Sequence, residues 1–189
     1  MHRPRLRFPY NPVKAAQAAA QLIILGGGKM DTWVLIKLLY LADRAALMES
    51  GQSVTNDRMV SLPHGPVLSG ILDHVNWNER PWRDYISERT HHILSLEHAH
   101  PDDGELSEYD GHILARVFKE YGHLDRTELR TLTHSLPEYE DPDGSSLPID
   151  PADILRFAGK SDAEIEDIIR DAERHYIAHQ TLQRQLQRA

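Results

Sequence analysis

The chain has 189 residues, with 29 acidic and 21 basic side chains, a formal net charge of −8, twelve histidines and no cysteine. That length suits one domain with terminal appendages. The missing cysteines exclude disulfides, thiolate metal sites and cysteine nucleophiles, and the acidic balance disfavours a nucleic-acid surface, which needs clustered positive charge.

The first segment, Met1 to Tyr10, carries Arg3, Arg5 and Arg7 and reads as a flexible basic arm without the apolar stretch of a secretory signal. Asn11-Pro12 suits a helix N-cap followed by proline at the first helical position. A helix is expected from Val13 to Leu25, stopped by Gly26. Asp31 caps a second helix running to about Ser50, with Gly51 as its end. Val34, Leu38, Leu41, Ala45 and Met48 make one apolar stripe there, and Leu35, Leu39, Ala42 and Ala46 make an adjacent one. So wide an apolar face marks a helix packed on most sides.

Arg58 to Leu62 reads as a short strand ended by Pro63 and Gly65-Pro66. Val67 to Val75 reads as a short amphipathic helix, and Tyr85 to Ser87 with His92 to Leu96 as a β-hairpin. After an exposed loop over 98–106, Ser107 with Asp110 opens a helix ending at Gly122. Asp125 with Glu128 resembles a capping box that opens the next. Residues 137–151 form a proline-rich acidic connection. Asp150-Pro151 starts a short helix through Phe157, and Ser161 to Glu164 opens a long terminal helix. No apolar run approaches the roughly 18 residues of a membrane span, so a cytoplasmic protein is expected. The fold class these elements define is α+β, predominantly helical, with a small antiparallel sheet built from the 58–62 strand and the 85–96 hairpin.

Six short motifs follow one another along the chain. They are Lys37-Leu38-Leu39-Tyr40-Leu41-Ala42-Asp43, Thr55-Asn56-Asp57-Arg58 after Gly51, Gly65-Pro66-Val67, Leu106-Ser107, Tyr121-Gly122, and Leu129 to His134. In this order they resemble the SocA-like Panacea domain, a mostly helical bacterial and phage module, over roughly residues 12–140. Two departures from the family's pattern are Leu68, where a proline often follows Gly-Pro-Val, and Glu138-Tyr139, where a tryptophan often stands. Together with the basic arm and the C-terminal elements read above, this divides the chain into three parts: an arm over 1–10, a domain resembling the family over 11–140, and a connection with a helical extension over 141–189. The resemblance implies an antitoxin that neutralises a cognate protein toxin encoded nearby by binding it directly. One branch of the family delivers its toxin to a AAA+ protease, so an adaptor role is a variant of that expectation.

Trp33, Lys37, Tyr40 and Arg44 recur at three-to-four spacing and share one helix face, with Asp43 beside it. Two readings stand side by side. In one, Tyr40 fills a core edge and Lys37 or Arg44 finds a carboxylate. In the other, the face is a polar-aromatic patch for the toxin, as aromatic and arginine enrichment at hot spots suggests. His64-Gly65-Pro66 is either a ligand-facing turn or a device that sets the strand angle. His134, near a helix end, interacts with the last carbonyls or belongs to a buried network. The residues expected to meet a partner are therefore Lys37, Tyr40, Asp43, Arg44, His64, Gly65, Pro66 and His134, with no catalytic residue, metal or cofactor.

The chain also contains histidines at 91, 92, 98 and 100 beside Asp102 and Asp103, but no zinc-binding spacing. Gly26-Gly27-Gly28 lacks the lysine of a phosphate loop, and no serine stands on a nucleophile elbow. A DNA-binding regulator, resting on the N-terminal arginines, is the alternative function; a metal-assisted hydrolase using the histidine loop is a weaker one. The acidic surface would steer a basic partner. Docking of the terminal helix on its own domain is favoured over pairing with a second copy, which stays open.

Overall fold

A computed structural model describes residues 9–87 and 90–186. The arm with Arg3, Arg5 and Arg7, and the middle of the polar turn after Ser87, lie outside the described residues. Within them the order is α1 (Pro12–Leu25), β1 (Lys29–Asp31), α2 (Thr32–Ser50), β2 (Met59–Leu62), β3 (Gly65–Leu68), α3 (Ser69–Trp77), β4 (Ile93–Ser95), α4 (Glu108–Tyr121), α5 (Arg126–His134), β5 (Leu147–Pro148), α6 (Pro151–Phe157) and α7 (Asp162–Leu186). This is a predominantly helical α+β fold. Among the described residues no helix is long and apolar enough to cross a membrane.

Local chemistry sets the helix ends. The Asn11 side chain accepts from the Val13 and Lys14 amides, and Asp31 accepts from Trp33 and Val34. Ser107 with Asp110, and Asp125 with Glu128, close reciprocal capping boxes. Gly51 ends α2 with φ +77°, a left-handed conformation open to glycine at little cost.

Helix α2 is the spine. Leu35, Ile36, Leu38, Leu39, Tyr40, Leu41 and Ala42 are all buried, and α1, α3, α4, α5, α6 and β3 pack around them. The buried alanines of α1 (Ala15, Ala16, Ala18 and Ala19) leave little side-chain bulk on that helix.

The strands differ from the sequence-based expectation. The strand at 59–62 does not end at Gly65-Pro66. The chain turns through Pro63-His64, and β3 pairs back antiparallel, with Met59 opposite Leu68 and Leu62 opposite Gly65. Pro66 is tolerated because β3 is an edge strand in the order β3-β2-β5. Val67 and Leu68 therefore belong to a strand, and α3 begins at Ser69. Asp57 caps it from outside by accepting from the Gly70 and Ile71 amides, at 3.0 and 2.8 Å.

The expected 85–96 hairpin is irregular, joined by isolated bridges between Ile86 and Leu96 and between Thr90 and Ile93. Among the described residues of this segment only Ile93–Ser95 forms a strand, and it pairs with β1 in a second sheet, Met30 opposite Leu94. The 59–62 strand and the 85–96 segment thus lie in different sheets. Beyond residue 140 the chain is tied in. β5 pairs with β2, α6 packs on α2, and α7 buries Ile165, Ile169 and Ala172. Ile177, further along α7, is 65 % exposed.

Candidate partner-binding site

The polar residues of α2 each tie down a different segment. Lys37 is 4 % exposed, and its ammonium donates to the Pro66 carbonyl at 2.8 Å, holding β3. Burial, then the Arg130 guanidinium, lower its pKa to about 7. One turn on, the Tyr40 hydroxyl donates to Glu138 Oε1 at 2.9 Å. Arg44 donates to the same carboxylate through Nε at 2.6 Å and Nη2 at 3.3 Å. The Glu138 side chain is only 1 % exposed, so this is a buried charge pair with an added phenol. Burial first, and then Glu138, push the Tyr40 phenol well above its usual range.

Asp43 is fully buried. It accepts from the Thr55 amide at 2.9 Å and the Thr55 hydroxyl at 2.6 Å, fixing the loop between α2 and β2. Burial raises its pKa to about 7, against these two bonds, which act downward. Helix α2 is therefore a hub from which four side chains reach strand, loop and the segment after α5.

The β2–β3 turn is clamped from three sides. Besides Lys37, the Tyr139 hydroxyl donates to the Leu62 carbonyl at 3.2 Å, and Arg130 Nη2 reaches the Pro63 carbonyl at 3.4 Å. Each of these donors is directed at a main-chain carbonyl in or next to the turn. His134 lies against Tyr139, ring centroids 4.4 Å apart, and His64 meets the edge of Trp33 at 6.3 Å. His134 Nε2 is buried without a well-formed hydrogen bond. Burial, then Arg130 and Lys37, lower its pKa; Asp141 and the His64 main chain act the other way.

The structure gathers seven of the eight expected residues where α2 meets the β2–β3 turn and the segment after α5, in unequal positions, while Asp43 is directed at the Thr55 loop instead. Lys37, Tyr40, Asp43, Gly65 and Pro66 are buried, Arg44 and His134 are half-buried, and His64 is exposed. Of the two readings for the α2 face, Arg44 does find a carboxylate, and Lys37 finds a main-chain carbonyl. Sequence reasoning did not assign roles to Glu138, Tyr139, Arg130 or Thr55. Glu138 and Tyr139 stood out only as a departure from a family pattern. The partners of Glu138 lie 94 and 98 residues away, so no local pattern links them.

A cleft of about 390 Å³ is lined by Tyr85, His98, His100, Asp84 and Asp102 among others. Among the described residues no three histidine, aspartate or glutamate side chains gather closely enough to hold a metal ion.

The fold and this hub define a predominantly helical α+β domain organised around one buried helix, its turn and the segment after α5. The family model of the antitoxin SocA-like Panacea domain matches residues 35–139, from the first turn of that helix through that segment, and the chain belongs to this family. Neither a curated protein nor a solved structure matches it significantly.

Proposed function

We propose that the chain is the antitoxin of a toxin–antitoxin pair and neutralises a cognate protein toxin by binding it directly, with no catalysis of its own. Family membership over residues 35–139 is the observation that carries this reading. The hub supports it, because α2 fixes β3, the 55 loop and the 138 segment through charge-assisted and buried hydrogen bonds, and a preorganised surface loses less entropy on binding. The contact surface centres on His64, His134 and Arg44. Lys37, Tyr40, Asp43, Gly65 and Pro66 form the framework beneath them.

Residues 11–140 act as the functional domain, and 141–189 brace it through β5 and α6. Delivery to a AAA+ protease, and pairing of two copies through the outer part of α7, are variants of this reading. They are tested by asking whether toxin turnover requires the chain and by the mass of the complex in solution.

The test is growth of a bacterial host that expresses the neighbouring open reading frame, with and without this chain. The reading expects the neighbour alone to arrest growth and the pair to restore it. Arrest that persists while the chain is expressed and folded would contradict pairing with that gene.

A further inference from the structure

Four ionisable or cationic side chains converge where α2, the β2–β3 turn and α5 meet. The Lys37 ammonium is buried and spends one of its three protons on the Pro66 carbonyl. His134 Nε2 is buried without a well-formed hydrogen bond. Among the described residues Arg130 makes one long hydrogen bond, 3.4 Å to the Pro63 carbonyl, and His64 is exposed at the tip of the turn. Among the described residues none of the four is ion-paired with a carboxylate. The groups that favour the charged form of His134 are Asp141, which is exposed, and the His64 main chain.

Gly65 is what allows the crowding. Its φ is +93°, and a Cβ there would stand 2.7 Å from Lys37 Nζ, 3.0 Å from His134 Cδ2 and 3.0 Å from Thr133 Oγ1. The main chain closes over the ammonium only without a side chain. The result is a notch lined by nitrogen donors, with the Arg130 guanidinium as its fixed positive charge, on a chain whose net charge is −8.

We infer that this notch is an anion site and that its occupant is a carboxylate on the surface of the protein partner. Burial without a counter-charge disfavours the protonated form of Lys37, and a carboxylate set against Arg130 and His64, with Lys37 and His134 behind, supplies the missing charge and favours that form. A guanidinium at the rim offers paired N–H donors that match a carboxylate's two oxygens. The acidic surface as a whole disfavours a polyanion, whereas a single carboxylate on an otherwise basic partner meets attraction at both scales. Such a contact fixes the register of the complex. The identity of the partner rests on the antitoxin reading; the anion site itself does not.

The test is an NMR titration of the full chain with sodium acetate, following the imidazole signals of His64 and His134, with inorganic phosphate at matched ionic strength as the comparison. Both rings are expected to shift and saturate with acetate. Arg130→Gln is expected to weaken acetate by about fivefold or more, while the remaining histidine signals report an unchanged fold. Shifts that never saturate, or equal affinity in the variant, overturn the site. Phosphate binding about tenfold tighter than acetate overturns the assignment to a carboxylate.

In a second arm, Arg130→Gln is expected to lower toxin capture about tenfold. Unchanged capture by the folded variant overturns the partner's place in the notch. Acetate binding needs no toxin, so its failure counts against the site alone. A toxin that the unaltered chain does not capture counts against the antitoxin reading alone.

Discussion

Asp43 shows how a single residue of the family motif can be structural in position and still govern behaviour. It lies at the end of the seven-residue motif, yet it is wholly enclosed, and its two oxygens take the Thr55 amide and hydroxyl. Burial dominates and raises its pKa from 3.8 to about 7, so the folded chain holds this proton more tightly than the unfolded one. The stability linked to that difference is fully present below about pH 4 and is lost as pH rises through about 7. Asp43→Asn removes the titration while keeping an acceptor for the Thr55 amide. Urea melts across that window should show the variant gaining on the parent as pH rises, by up to ~1.4 kcal/mol per pH unit. Parallel pH profiles for the two proteins would contradict a proton held at Asp43.

At the scale of elements, the tie between α2 and the segment after α5 is the strongest candidate for a contact on which the site depends. Glu138 is buried and receives both Arg44 and Tyr40. Arg44→Met leaves that carboxylate with the phenol alone, an uncompensated buried charge, and should cost about 3–5 kcal/mol of unfolding free energy in denaturant melts. A loss under about 0.5 kcal/mol, the size of an exposed pair, would mean that the tie is dispensable. Helix boundaries were readable in the sequence because caps are local: Asn11, Asp31, Ser107, Asp125 and Asp150 each bond an amide two or three residues on. Strand pairings were not. β5 is two residues long and meets β2 across more than eighty positions, and β1 hides behind three glycines that read as a stop. Pro66 looked like a terminator, since only the edge position of β3 makes it acceptable. The α2 face was legible as a polar stripe through its spacing, but Glu138, its main counter-charge, was not, because that pairing is purely tertiary.

For the whole molecule, the family domain and the C-terminal elements form a continuous core. Ile149, Ile154, Leu155, Ile165 and Ile169 are buried with the residues of α2. The net charge of −8 would attract a basic partner at long range. The central claim is that the surface around His64, His134 and Arg44 binds the toxin itself. Its most direct measurement is isothermal titration of the purified full chain with the purified neighbouring gene product, in the absence of any protease. The account predicts a single saturable complex formed from the two proteins alone. Two folded partners that give no binding, while growth is still rescued in cells, would contradict direct neutralisation.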